Sequence, residues 1–253
     1  MVFIINKITQ NVPFPVFLSG SNKFAVINKL YIFATANLSK EEIVMKKAMD
    51  KIFCAIIAFL VHLVYHPKAY YMDKQKQKNR LTEPTILVSN HINHLDGTII
   101  GTIFRRDPIH HLAAKDRFEN NKGMAWYLRH TGCIPIDRQN VDTKWVYQSV
   151  DILRNQKENI CIYPEGRHGK NREILPFHSG ITTIAAIAGV QIVMIYIDGP
   201  YNFFKRTRLI VSAPFRLDPP TEGMTADYIK AQTEKLHDRM IELQGELLKR
   251  ISK

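Results

Sequence analysis

After Pro84, short β-like runs alternate with stretches of helical spacing, and this alternation constrains the fold more than any other feature of the sequence. Four runs rich in β-branched residues are candidate strands: 85–89, 159–163, 191–197 and 208–212. Apolar residues recur at helical spacing in three other segments: 146–153, 181–188 and the tail 226–253. Strands and helices in alternation predict an α/β domain, with a mixed sheet flanked by helices.

The composition restricts the class of protein and the kind of partner. With 253 residues, 45% of them hydrophobic and 23% charged, the chain is neither disordered, collagen-like nor a polytopic membrane protein. The formal net charge of +12 favours anionic partners, such as nucleic acid, acidic lipid or a phosphorylated small molecule. Three cysteines in a chain of this length argue against a disulfide scaffold and for a reducing compartment.

The N-terminal part of the chain divides into two segments before the α/β domain. Residues 1–44 show no recognisable period and lack the pattern of a cleaved signal peptide, so we regard them as an uncertain extension. Residues 45–80 contain the most apolar run of the sequence and form a second segment. The α/β domain then covers 81–253.

The apolar run is the 14-residue stretch 52–65, in which His62 is the one strongly polar residue. A helix that crosses a bilayer needs about 20 apolar residues, so this run is too short to span comfortably. Lysines and an arginine flank it on both sides, which suits shallow insertion into an anionic leaflet. An ordinary buried helix is the alternative, but it would not require basic residues at both ends. We therefore expect 45–80 to be a membrane-associating helical segment.

The first candidate catalytic residues follow the first predicted strand, in the segment Ser89 to Gly97. His91 and Asp96 are five residues apart, so a turn can bring the carboxylate onto one imidazole nitrogen and leave the other as a general base. No serine completes a triad, which points to attack by a substrate hydroxyl. His94 leaves two alternatives open: a metal site made with His91 and Asp96, or plain structural polar residues.

A second candidate segment, 163–172, follows another predicted strand. Its glycines allow the backbone to approach a ligand closely, and its cations suit recognition of a phosphate. Glu165 beside these cations would orient an arginine or bond a hydroxyl. A solvated basic loop is the alternative.

Taken together, these segments resemble the glycerolipid acyltransferase family, which includes the 1-acylglycerol-3-phosphate acyltransferases. The resemblance covers roughly 84–217 and rests on four segments in order: Asn90-His91 with Asp96, Lys115, 132–138, and Glu165-Gly166 with 175–180. It implies transfer of a fatty acyl group from acyl-CoA or acyl-carrier protein to a free hydroxyl of a lysophospholipid, with 1-acylglycerol-3-phosphate giving phosphatidate. It implies neither a metal, a cofactor nor a covalent acyl-enzyme.

The resemblance also assigns roles to particular residues. His91 is implied as the base and Asp96 as its partner. The implied substrate contacts are Asn90, Lys115, Arg138, Glu165, Gly166, Arg167 and His168. A thioester donor and reduced thiols place the expected site of action at the cytoplasmic face of a membrane.

Two positions depart from the family pattern. The usual third block, E-G-T-R, is here Glu165, Gly166, Arg167 and His168. Either Arg167 takes the phosphate from one residue earlier, or His168 weakens that contact and the acceptor differs from the standard lysophosphatidate. The fourth block normally has a proline where Met194 stands, which affects the side of the site associated with the acyl donor. Met restores a backbone donor to the strand and should leave the fold intact.

Two functions of other classes compete with this interpretation. Nucleic-acid binding fits the charge, but the sequence has no zinc-finger spacing, helix-turn-helix signature or aromatic-plus-basic block, so we expect no nucleic-acid partner. A non-catalytic lipid-binding protein on the same fold is favoured by the altered third block and disfavoured by the presence of both His91 and Asp96.

Overall fold

A computed structural model describes residues 40–73, 80–137, 143–170, 172–203, 205–220 and 223–252. The elements in chain order are α1 (Lys40–Tyr65), β1 (Lys68–Tyr71), β2 (Thr85–Ser89), α2 (Asp96–Ile103), β3 (Ile109–Ala114), α3 (Lys122–His130), β4 (Ile134–Ile136), α4 (Lys144–Asp151), β5 (Asn159–Ile162), α5 (Gly180–Ala188), β6 (Gln191–Asp198), β7 (Arg208–Val211) and α6 (Ala226–Ile251). A 3-10 turn, Lys115–Phe118, follows β3, and a π-helical turn, Ile152–Gln156, follows α4.

Within these residues, seven strands form one sheet in the order β1-β7-β6-β2-β5-β3-β4. Strands β6, β2, β5, β3 and β4 run parallel to one another, whereas β7 is antiparallel to β6 and carries β1 parallel to itself. The predicted mixed α/β sheet with flanking helices is therefore confirmed. The two clusters of polar residues predicted to form the site follow β2 and β5, which are neighbours.

The central strand β2 shows why the sheet has helices on both faces. All five of its residues are buried, as expected for a parallel strand covered on both sides. Because side chains alternate along a strand, Ile86 and Val88 point into one core, with residues of α5 and α6, while Leu87 points into the other, with residues of α2 and the end of α1. Fully burying one such side chain stabilises the fold by about 1.5–3 kcal/mol.

Helix α1 has one face against the protein and another exposed. Val61, Val64 and Tyr65 pack on the core that contains Leu87. Ile52, Ile56 and Phe59 are each more than half exposed, so the helix is only partly buried. In the described part of the chain, no helix is both long enough and apolar enough to cross a membrane. Most of the predicted extension, residues 1–39, lies outside the described residues.

Met194 fits the centre of β6 in the way expected for a residue with a backbone donor. Its N–H donates to Ser212 Oγ at 2.9 Å, and its side chain is buried at 1% exposure. A proline at this position would leave the Ser212 hydroxyl without that donor.

Candidate active site

The candidate site lies where the carboxyl ends of β2, β5 and β6 meet. Since β2 is parallel to both neighbours, the segments that follow the three strands come together at one edge of the sheet. This brings the turn that begins at His91 next to the loop 163–170 and close to Tyr201, which comes after β6.

His91 and Asp96 form a hydrogen-bonded pair, with Nδ1 of His91 2.7 Å from Oδ2 of Asp96. Asp96 is fully buried in the first turn of α2, where the helix dipole favours a negative charge. The same Oδ2 accepts the backbone N–H groups of Ile92 at 2.8 Å and Asn93 at 3.0 Å. A carboxylate acceptor at Nδ1 selects the tautomer whose Nε2 lone pair is free, and Nε2 has no hydrogen-bond partner among the described residues.

Tyr201 contacts the other oxygen of Asp96, and sequence reasoning missed it. Its hydroxyl donates to Oδ1 at 2.5 Å. Burial and the charge of Asp96 raise the pKa of Tyr201 well above its usual value, so the phenol remains a donor. Tyr201 is 105 residues from Asp96 in sequence, and no motif spacing links the two.

Two further residues that sequence reasoning did not single out lie beneath the His91 ring. The Tyr163 ring stacks on it, with ring centres 4.4 Å apart, and the Tyr163 hydroxyl is 3.2 Å from Nδ1 of His111. Burial raises the pKa of Tyr163 and lowers that of His111 to about 4, so both are neutral at pH 7. The His91 ring therefore stacks on an uncharged aromatic ring.

Glu165 points into the protein, in contrast to the predicted contact with an arginine or substrate. It is 3% exposed, and its two oxygens accept the backbone N–H groups of His91 at 3.0 Å and Leu175 at 3.1 Å. Burial raises the pKa of this carboxyl, and the two backbone donors oppose that effect. Glu165 thus ties the turn that begins at His91 to Leu175, in the segment that follows β5.

Two glycines make that loop possible. Gly166 has a φ of +68°, a backbone conformation that other residues rarely adopt, and its N–H donates to the Tyr163 carbonyl at 3.1 Å. Gly169 donates its N–H to the His91 carbonyl at 2.8 Å, and a Cβ at Gly169 would lie 2.6 Å from the Glu173 carbonyl oxygen. Both ends of the His91 backbone are thus bonded to this loop.

His168 lies directly beside the pair. Its ring centre is 4.1 Å from that of His91 and 4.5 Å from that of His94, edge-on in both cases. Desolvation, together with the nearby imidazoles, lowers the pKa of His168 to about 4, so it carries no charge at pH 7. The side chain of Arg167, the residue before His168, is exposed to solvent.

The remaining predicted contacts are distributed differently. The Asn90 side chain is buried, and both of its polar atoms bond the Ile197 backbone, which ties the end of β2 to β6. Lys115 reaches Asp137 at 3.1 Å, on the side of β3 and β4. Arg138 lies outside the described residues.

The alternative metal site made of His91, His94 and Asp96 has no geometric support. Among the residues that the structure describes, no three His, Cys, Asp or Glu side chains are arranged to hold a metal ion. The nitrogen of His91 that faces Asp96 is already hydrogen-bonded.

Comparisons with known proteins point to one family. A family model described as Acyltransferase matches residues 70–198. The 1-acyl-sn-glycerol-3-phosphate acyltransferase of Saccharomyces cerevisiae is 26% identical over 186 residues, which is 68% of this chain and 59% of that protein. The 1-acyl-sn-glycerol-3-phosphate acyltransferase alpha of Ovis aries is 30% identical over 170 residues, which is 63% of this chain and 58% of that protein. The chain thus spans less than two thirds of the length of these relatives.

A solved structure has the same fold. The 1-acyl-sn-glycerophosphate acyltransferase of Thermotoga maritima superimposes with a TM-score of 0.55 at 16% identity, over 86% of this chain and 88% of that one. At this identity the likeness concerns the fold alone.

Proposed function

The chain belongs to the acyltransferase family, and we propose that it transfers a fatty acyl group from acyl-CoA or acyl-carrier protein to the free hydroxyl of a lysophospholipid, with 1-acylglycerol-3-phosphate as acceptor and phosphatidate as product. The observation that carries this proposal is the His91–Asp96 pair at 2.7 Å, with Nε2 of His91 available. Relatives named 1-acyl-sn-glycerol-3-phosphate acyltransferase support the choice of acceptor.

The proposed reaction needs one base and no covalent intermediate. Nε2 of His91 takes the proton of the acceptor hydroxyl as its oxygen attacks the thioester carbonyl. Asp96 stabilises the imidazolium that forms. The C–S bond then breaks, and the leaving thiolate takes the proton from His91. The ester and the free thiol are the products, and His91 returns to its neutral state.

Arg167 is the proposed contact for the acceptor phosphate. It is exposed and directly precedes His168, which is neutral and packs against His91. We expect Arg167→Gln to raise the KM for 1-acylglycerol-3-phosphate about tenfold with little change in kcat, since a charged hydrogen bond is worth about 1.5–3 kcal/mol. Arg105→Gln, another exposed arginine, is the matched control. An unchanged KM would contradict Arg167 as the phosphate contact.

The exposed face of α1 is the proposed membrane contact. Five large apolar residues, each more than half exposed, lie at spacings that place them on one side of the helix: Ile52, Ile56, Phe59, Leu60 and Leu63. Phe53 packs edge-on against Trp126 of α3, with ring centres 4.6 Å apart, so α3 supports the helix there. Such a face suits an anionic bilayer surface on the cytoplasmic side.

A flotation experiment with anionic vesicles tests the membrane contact. Phe59→Ser combined with Leu63→Ser should lower the bound fraction severalfold, because two large apolar side chains leave the contact. Ile241→Ser, an exposed apolar residue on α6, should bind as the wild type does. Equal binding of the double variant and the control would contradict the proposal.

Thiol release from acyl-CoA and acyl-carrier protein tests the activity itself, in mixed micelles with a panel of lysolipids. Release that depends on 1-acylglycerol-3-phosphate supports the stated reaction. Release with another lysolipid would mean that this lysolipid is the acceptor. Arg167 and His168 would then be the residues that determine acceptor specificity. If no donor and acceptor pair reacts, the non-catalytic lipid-binding protein replaces this proposal.

A further inference from the structure

The two oxygens of Asp96 are held very differently. Oδ2 faces three donors, namely His91 Nδ1 and the backbone N–H groups of Ile92 and Asn93. For Oδ1, the described residues supply one side-chain donor, the hydroxyl of Tyr201. Asp96 is fully buried, so water cannot easily reach Oδ1. Loss of the Tyr201 hydroxyl would therefore leave this oxygen without a hydrogen bond, which costs free energy.

Tyr201 is itself fixed by its surroundings. It follows β6 and packs against the same core as Ile92 and Leu95, the residues that flank Asn93 and His94. Its ring lies against that of Tyr65, the last residue of α1, with ring centres 5.7 Å apart. A partly buried ring that packs on the core and on Tyr65 presents its hydroxyl in one direction.

We propose that Tyr201 is a positioning residue of the reaction, which sets the orientation of Asp96 and through it the direction and tautomer of His91. The proposal rests on the function proposed above. A carboxylate held through one oxygen can rotate about its terminal bond, whereas donors on both oxygens fix its plane. The Oδ2 atom then stays in line with Nδ1 of His91.

Tyr201→Phe is the direct test, because it removes the hydroxyl and retains the ring that packs on Tyr65. We expect kcat to fall about 10- to 100-fold, as for a lost hydrogen bond to a charged group, while the KM values for donor and acceptor stay within about twofold. The matched control is Tyr228→Phe. It removes a hydroxyl that donates to the Asp218 carbonyl at 2.7 Å, and Tyr228 lies on α6, far in sequence from the site. The control should react at the wild-type rate.

A double-variant cycle separates positioning from a structural role. If Tyr201 acts through the pair, His91→Ala combined with Tyr201→Phe should be no slower than His91→Ala alone. An additional fall, a raised KM in the single variant, or a kcat equal to that of the wild type would each overturn the proposal. If His91→Ala abolishes transfer and Tyr201→Phe has no effect, this inference fails and the proposed function stands.

A second readout does not depend on activity. The proton on Nδ1 of His91 gives a downfield NMR signal, identified by its loss in His91→Ala. We expect Tyr201→Phe to move that signal and Tyr228→Phe to leave it in place. An unmoved signal would overturn the proposal, even if the protein transferred no acyl group to any acceptor tested.

Discussion

Replacing Glu165 by Gln distinguishes two roles for that residue. The family resemblance implies that Glu165 contacts the substrate, whereas the structure shows a buried carboxylate that accepts the N–H groups of His91 and Leu175. A Gln side chain has one oxygen, so it can accept one of these donors. Its amide NH2 would face the other, and two donors cannot bond each other.

The expected loss follows from that geometry. A hydrogen bond to a charged acceptor contributes about 1.5–3 kcal/mol, and the variant loses one and weakens the other. Removing a buried charge offsets part of this loss, since burial raises the pKa of Glu165 and therefore disfavours its ionised form. We expect a net destabilisation of about 2 kcal/mol, which for a protein of this size lowers Tm by about 4–8 °C.

Thermal unfolding and steady-state kinetics of Glu165→Gln test this reasoning together. We expect the lower Tm, a fall in kcat because the His91 backbone loses its anchor, and an acceptor KM near the wild-type value. Glu83→Gln is the matched control, since its exposed ion pair with Arg216 contributes little. A wild-type Tm with a raised acceptor KM would refute the inward-facing role and support the substrate contact.

Two further predictions concern the surroundings of the base. A histidine in the unfolded chain takes up a proton below about pH 6.5, whereas His111 in the folded protein does so below about pH 4. Between these pH values the unfolded state binds more protons than the folded state. The free energy of unfolding therefore falls as the pH is lowered. At 1.36 kcal/mol per pH unit, His111 accounts for at most about 3 kcal/mol of this loss of stability. Urea unfolding at pH 7 and pH 4.5 should show a smaller loss for His111→Gln than for the wild type. An equal loss would contradict the lowered pKa of His111. Gly169→Ala should lower both Tm and kcat, because its Cβ would lie 2.6 Å from the Glu173 carbonyl oxygen on the loop that bonds His91. Gly101→Ala, where the added methyl group meets nothing, is the control, and equal behaviour of the two variants would show that the loop adapts.

The sequence predicted the centre of the fold well because the signals there are local. Strand β2 coincides with its prediction, and β5, β6 and β7 agree within one residue at their ends. Helix α5 covers the segment 181–188 in which the sequence showed helical spacing, and Gly189 after it adopts the left-handed conformation that glycine favours.

The peripheral strands were missed for physical reasons. Strand β1 is four partly exposed residues, and β4 is three residues that include Pro135, so neither has the length or alternation that marks a strand. Strand β3 contains two adjacent histidines, which interrupt its apolar pattern. Pairing with β7, β3 and β5 defines these segments, and sequence periodicity does not report pairing.

The residues of the candidate site also divide into those that a local sequence pattern predicts and those that it does not. His91 and Asp96 are five residues apart, so a local turn was enough to predict that they meet. Tyr201 comes from the segment after β6 and His111 from β3, both distant in sequence from His91, and only the order of the sheet brings them there. Glu165 was identified, but its direction depends on backbone N–H groups, which leave no trace in the sequence.

The most direct test of the central claim is thiol release from acyl-CoA with 1-acylglycerol-3-phosphate, for the wild type, for His91→Ala and for His130→Ala as a control on α3. General-base catalysis typically contributes about 10²- to 10⁴-fold, so His91→Ala should lose at least about 99% of the rate, with an unchanged Tm and an acceptor KM close to that of the wild type. His130→Ala should retain the wild-type rate. Release by His91→Ala at a rate near that of the wild type would contradict the assignment of His91 as the base.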